Sequence, residues 1–165
     1  IASCLVGSEM CIRDRITASA RIFHENPNTL VELKQKPELA ATFVEEALRF
    51  YSPFSATVRR TTKDVEIAGQ KIAAGQLVVP LIASANRDEQ VFTDPDKFKL
   101  DRDTNPHLAM GYGIHFCLGA HLARLEGKIV AEELARRYSN VTLTRPKTAT
   151  VGDLGGPKEL AVVLS

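Results

Sequence analysis

MGYGIHFCLGAHLAR, residues 110 to 124, sets a lone cysteine, Cys117, among Gly111, Gly113 and Gly119 just ahead of a helical pattern. A thiolate that is to ligate a metal must be held with its sulfur pointing out of a tight bend. Glycines supply the backbone angles and the close approach that such a bend requires. Amides entering the following helix can then face the sulfur, where the positive end of the helix favours its charge. A single cysteine in a glycine-containing turn is more often a small buried hydrophobe. The decision therefore rests on what surrounds it.

Downstream, Leu118 to Tyr138 carries a helical period marked by Leu122 and Leu125, and Val141 to Ser165 reads as a terminal hairpin around Gly152, Gly155 and Gly156. Upstream, Asp88 to Met110 is rich in Asp, Pro, Asn and Arg with little period, the signature of a long ordered loop. Thr57, Val58, Val65, Ile67, Ile72, Leu77, Val78 and Val79 alternate with glycines at 69 and 75, which predicts short strands joined by hairpins. Before them, Leu39, Phe43, Val44, Ala47 and Leu48 recur at three- and four-residue steps. This spacing predicts an amphipathic helix over 37–50, stopped by Pro53. Asn26 and Pro27 should cap and open a shorter helix ending near Lys34, and Ile16 to His24 reads as a helix tail.

Residues 1 to 15 stand apart. LVGSEMCIRDR, Leu5 to Arg15, has neither helical nor strand period, and its Met10 to Asp14 portion matches one reading frame (ATG TGT ATA AGA GAC) of a transposon-type sequencing adapter. The expectation is a foreign scar over 1–15, leaving Cys4 and Cys11 without chemistry, and one unit over 16–165. The 165 residues, 44% hydrophobic, suffice for a single core. A net charge of +1, from 21 basic and 20 acidic residues, gives no case for nucleic acid or a membrane surface. No apolar run is long enough to span a bilayer. Three cysteines make no disulfide framework, as expected of a cytoplasmic protein.

The stretch from Met110 resembles the cysteine-ligand loop of cytochromes P-450, Phe-Gly-x-Gly-x-His/Arg-x-Cys-x-Gly, departing only at its first position, where Met110 replaces Phe. Methionine fills the space but removes a ring that screens the sulfur. Glu46-Ala47-Leu48-Arg49 resembles the family's Glu-x-x-Arg. Arg102 resembles the arginine of the following irregular segment, called the meander, that completes this buried network. The segments Ala85-Asn86-Arg87-Asp88 and Asn105-Pro106-His107-Leu108-Ala109 resemble bacterial members in the same order.

The resemblance implies a mainly α fold with small β-sheets, the C-terminal part of the cytochrome P-450 fold, over roughly Ile16 to Ser165. It implies haem b (iron protoporphyrin IX) bound by the Cys117 thiolate, with Arg59 and His115 facing the propionates and Arg60 turned away by strand alternation. It places Pro53, Phe54, Ser55, Ala56, Thr57 and Val58, with the turn from Asp153 to Gly156, on the substrate side. The implied activity is insertion of one oxygen atom of O2 into a small organic substrate. The thiolate pushes electron density onto the iron, and the electrons come from a ferredoxin-type donor docking near Arg124 and Lys128. The family's oxygen-activating helix lies upstream of the residues present, so this stretch alone is expected to be inactive and to expose apolar faces. The same residues also fit a hydrogen-peroxide-using haem-thiolate peroxygenase, or a non-catalytic truncated relative.

Overall fold

Helix α3, Ala40–Phe50, is the element on which the rest is built. A 3-10 turn at Pro37–Leu39 leads into it, and it buries Phe43, Val44, Ala47 and Leu48 at the spacing the sequence predicts. In the computed structural model it packs against α1 (Ala2–Glu25) and α5 (Ala120–Arg137), while α2 (Pro27–Gln35) lies against α1 and α5. The structure describes residues 2–145 and 160–165, with side chains from Asp14 to Thr144 and from Leu160 onward. Cys4, Cys11 and the Asp153 to Gly156 turn fall outside the described side chains or residues. Phe23 of α1 stacks on Phe43 at 4.9 Å between ring centroids, and Phe98 meets Phe43 and Phe50 edge-on at 5.6 and 5.8 Å. This aromatic column joins two helices to the loop that follows the sheets.

Three details depart from the expectations. Helix α1 begins at Ala2, although LVGSEMCIRDR shows no helical period, and Arg15 reaches Glu126 of α5 at 2.5 Å. A helix extends from a packed end at one hydrogen bond per residue and needs no apolar period to do so. Asn26 does not cap α2 through its side chain; its amide donates back to the Ile22 carbonyl at 3.3 Å, and Pro27 alone marks the helix start. Finally, α5 does not bury the face marked by Leu122 and Leu125, which are 56% and 54% exposed. Its inner face is Ala120, Ala123, Gly127, Ala131 and Ala135. Both Val44 methyls lie 3.2 Å from where a Cβ on Gly127 would stand, so α3 and α5 approach too closely for leucines between them.

The small sheets form as expected. Strand β1 (Arg59–Arg60) pairs antiparallel with β4 (Leu77–Val78), and β2 (Val65–Ile67) pairs with β3 (Gln70–Ile72) through a turn with Ala68 and Gly69 at positive φ. One short helix, α4 (Ile82–Ala85), follows, and the chain then runs without long regular structure to α5. Strands β5 (Val141–Arg145) and β6 (Ala161–Leu164) close the terminal hairpin, with Val141 buried against the helical core.

Candidate functional site

The cysteine loop is shaped by its glycines. Gly111 and Gly113 have φ of +78° and +62°, the left-handed region that side chains disfavour. A Cβ on Gly111 would stand 3.0 Å from the His115 carbonyl oxygen. The Cys117 amide donates to the Met110 carbonyl at 2.8 Å, and Phe116 N–H donates to Gly113 O at 3.0 Å, so the loop closes on itself before α5 starts. Gly119 has an ordinary φ of −84°, and a Cβ there would make only ordinary contact with the Cys117 sulfur, at 4.0 Å. The Ala120 amide is used by the Cys117 carbonyl at 3.2 Å and not by the sulfur.

Cys117 is a free thiol, half-buried, packed on the core beside buried Met110. Around it the loop turns large apolar side chains outward: Ile114 is 97% and Leu118 99% exposed, with Tyr112 and Phe116 also exposed. His115 is exposed at the end of a short 3-10 turn. A reachable sulfur among apolar side chains, with small residues where bulk would cover it, is a surface suited to a flat apolar group carrying a metal.

Glu46 and Arg49 are fully buried and form the centre of a polar cluster. Arg49 donates through Nε and Nη2 to the two carboxylate oxygens of Glu46, each at 2.8 Å, a bidentate geometry. Arg102 donates to the same two oxygens at 2.9 and 3.2 Å, joined by the Asn105 amide at 3.1 Å and the Lys99 N–H at 3.1 Å. Burial pushes the Glu46 carboxyl upward, but the hydrogen bonds from Arg49 and Arg102 outweigh it and hold it below the ordinary carboxylate range. The Phe92 ring lies over both guanidiniums, 5.2 Å from that of Arg49 and 5.8 Å from that of Arg102.

The structure does not join every candidate to the loop. Arg59 is exposed and donates to the Val58 carbonyl at 2.9 Å, while Arg60 donates to Gly75 O at 2.7 Å. Pro53 to Val58 connect α3 to β1, tied to the residues before and within α4 by Thr57 N–H to Pro80 O and Ala83 N–H to Ser55 O, with Phe54 47% and Val58 57% exposed. Arg124 is not an open surface cation: it pairs with Glu45 at 2.7 Å, while Lys128 stands 3.7 Å from Glu132.

Residues that sequence reasoning passed over also hold the site. Asn86 is fully buried; its side chain donates to Ser52 Oγ and accepts the Leu108 N–H, both at 2.7 Å, and its carbonyl accepts from Arg49 at 2.8 Å. His107 meets Glu45 at 3.1 Å. Asn86 and His107 both sit in matched motifs, and that placement was the available signal. No group of three or more His, Cys, Asp or Glu side chains able to hold a bare metal ion occurs among the described residues.

A family model described as Cytochrome P450 matches residues 19–155. The chain is 41% identical over 128 residues to the biotin-biosynthesis cytochrome P-450 of Bacillus subtilis, covering 78% of this chain and 32% of that protein. It is 48% identical over 130 residues to cytochrome P-450 119 of Sulfurisphaera tokodaii, covering 79% and 35%. Among solved structures, CYP109E1 of Bacillus megaterium in complex with corticosterone superposes with a TM-score of 0.89 at 39% identity, covering 96% of this chain and 44% of that one. P450BioI, in complex with an acyl carrier protein ligated to hexadec-9Z-enoic acid, gives a TM-score of 0.88 at 36% identity, over 94% and 41%. The chain thus spans about a third of the length of the curated relatives it matches.

Proposed function

Because the chain belongs to the cytochrome P450 family, whose cofactor is haem, we propose that it is the haem-binding part of a monooxygenase with Cys117 as the iron ligand. The observation that carries this reading is the half-exposed sulfur on a loop closed by Gly111 and Gly113 and ringed by outward-facing Ile114, Phe116 and Leu118. These residues fit the group: an apolar macrocycle can cover the exposed Ile114, Phe116 and Leu118 beside the sulfur.

Bound haem supplies the oxygen chemistry, the transfer of one oxygen atom of O2 to a small organic substrate. The residues of this chain supply the setting. Cys117 would present its sulfur to the iron; the Met110 carbonyl accepts the Cys117 amide, and Cys117 packs against the core to which Met110 belongs. Arg59 on β1 and His115 on the cysteine loop are both exposed, so each could meet a carboxylate, and a propionate on Arg59 would replace its bond to the Val58 carbonyl. Exposed Phe54 and Val58, within Pro53 to Val58, give the substrate side an apolar lining. Glu46, Arg49 and Arg102 hold the meander that leads into the ligand loop.

A ferredoxin-type donor and a cytoplasmic setting complete the reading. The relatives include cytochromes P-450 of Bacillus and Pseudomonas; separately, no helix among the described residues is long and apolar enough to cross a membrane. Expressed alone, this stretch should not turn over and should fold poorly, because apolar side chains such as Leu77, Leu81 and Leu122 stand exposed among the described residues. The foreign origin of residues 1 to 15 is consistent with a family match that begins at residue 19; sequencing the genomic DNA upstream tests it.

The functional test is the reduced carbon monoxide spectrum of the full-length, haem-loaded protein. The thiolate-ligated band should be present in the parent and lost in Cys117→Ser. A parent that shows only the band of a non-thiolate ligand sinks the proposal. Turnover with a reductase and ferredoxin, set against turnover with hydrogen peroxide alone, separates the monooxygenase from a peroxygenase.

A further inference from the structure

Three side chains that the ligand loop itself does not use meet behind it. Glu45 leaves α3 beside the network carboxylate, His107 lies shortly before Met110, and Arg124 sits on α5 about two helical turns beyond Cys117. Arg124 donates to the two oxygens of Glu45 at 2.7 and 3.0 Å, and His107 Nε2 lies 3.1 Å from Glu45 Oε2.

The Ala109 N–H donates to His107 Nδ1 at 3.2 Å, so that nitrogen carries no proton and Nε2–H is the donor to Glu45. Two hydrogen bonds therefore fix both the tautomer and the plane of the ring. Ala109 precedes Met110, whose carbonyl receives the Cys117 amide at 2.8 Å. One carboxylate on α3 thus ties down the chain entering the ligand loop, through His107, and the helix leaving it, through Arg124.

On the reading that Cys117 ligates haem iron, we propose that Glu45, His107 and Arg124 are positioning residues that clamp both ends of the ligand loop to α3 and keep a compensated charge pair behind the sulfur. The Glu45 hydrogen bonds hold Arg124 firmly protonated, and Arg124 lies one helical turn into the helix that leaves the cysteine loop. Removing either member of the pair uncovers one unit of charge, of opposite sign in the two cases, on the order of 10 Å along the helix from the sulfur. A clamp that served only for stability would not give opposite signs.

The test uses the full-length haem-loaded protein and reads the haem midpoint potential together with the reduced carbon monoxide spectrum. Glu45→Gln leaves Arg124 uncompensated and should raise the potential; Arg124→Gln leaves Glu45 uncompensated and should lower it. Each shift should be about threefold in the reduced-to-oxidised ratio at fixed potential, about 30 mV for one electron. Arg124→Lys keeps the charge and should stay near the parent. If Glu45→Gln does not fold, the two Arg124 variants decide the sign.

His107→Ala should lower the ratio of thiolate-ligated to other carbon monoxide complex about tenfold, the effect of losing both hydrogen bonds of the ring. His107→Asn, which can still accept from Ala109, should recover part of that loss. Potentials that move in the same direction or not at all, or a His107→Ala protein with the parent's thiolate fraction, overturn the clamp. A parent with no thiolate band instead overturns the haem-ligand reading, so the two failures are distinguishable.

Discussion

Glu46→Gln tests the buried network most sharply, because it changes one atom and almost no volume. Each Glu46 oxygen accepts three donors: Oε1 from Arg49 Nη2, Arg102 Nη2 and the Lys99 amide, and Oε2 from Arg49 Nε, Arg102 Nε and the Asn105 amide. Whichever way the glutamine amide turns, its NH2 faces three donors, two of them on guanidinium ions. The Glu46 side chain is 1% exposed, that of Arg49 0% and that of Arg102 7%, so water cannot replace the lost acceptor. Two charge-assisted hydrogen bonds are worth about 1.5–3 kcal/mol each, and breaking a buried ion pair costs about 3–5 kcal/mol. The expected loss is therefore about 4 kcal/mol, a large part of the 5–15 kcal/mol that holds a protein folded. Urea unfolding of the full-length protein, followed by far-ultraviolet circular dichroism, should show a midpoint lower by about 1 M or more at unchanged slope. A loss under about 1 kcal/mol is what a solvent-screened surface pair gives, and that result would refute the view that this network organises the loop.

Three further outcomes follow from the same geometry. Burial pushes the Glu45 carboxyl up, yet the hydrogen bonds from His107 and Arg124 outweigh it and bring it from 4.5 to about 2. A carboxyl depressed on folding adds stability above its unfolded value and loses it as pH falls, so Glu45→Gln should flatten the stability profile between about pH 4.5 and 2, by about 1–2 kcal/mol after screening. Gly111→Ala should cost about 2–4 kcal/mol in unfolding experiments, from its positive φ and the 3.0 Å approach to the His115 carbonyl; Gly113→Ala, with open space around it, should cost only about 1–2 kcal/mol. Gly127→Ala gains helix propensity but meets both Val44 methyls at 3.2 Å, so it should destabilise by about 1 kcal/mol alone and become neutral or favourable in a Val44→Ala background, read by a double-mutant cycle.

The cysteine loop and α3 were legible in the sequence for different reasons. Gly111, Gly113 and Cys117 carry their constraint in residue type, and Phe43, Val44, Ala47 and Leu48 carry theirs in spacing. Helix α5 misled because Leu122 and Leu125 also have helical spacing, while its packed face is made of Ala120, Ala123, Gly127, Ala131 and Ala135, residues that bury little area and show weakly in any apolar count. Arg124 and His107 were harder still. A cation in a sequence reads as exposed until the carboxylate that meets it is known, and Glu45 is 79 residues from Arg124 and 62 from His107. Helix α1 shows a further limit: it extends through residues with no apolar period, which propagation permits and periodicity cannot announce.

The segment from Asp88 to Met110 poses the remaining physical question, since it has little regular structure and yet must deliver the cysteine loop to one place. Backbone carbonyls that no ladder satisfies need other donors. Two arginines provide them. Arg49 donates to the carbonyls of Asn86, Pro95 and Lys97 at 2.8, 2.8 and 3.2 Å, and Arg102 to that of Thr93 at 2.9 Å. A guanidinium holds five donors in a rigid plane, so Arg49 replaces three ladder bonds, Arg102 adds another, and their relative positions are fixed. Both are oriented by Glu46, and its neighbour Glu45, about 100° further round the same helix turn, holds His107 and Arg124. The geometry of the irregular segment is therefore copied from one turn of α3. A rotation of that helix by a single residue would break both carboxylate clusters together, which is why a chain with no ladder of its own can still present one sulfur atom at a defined point.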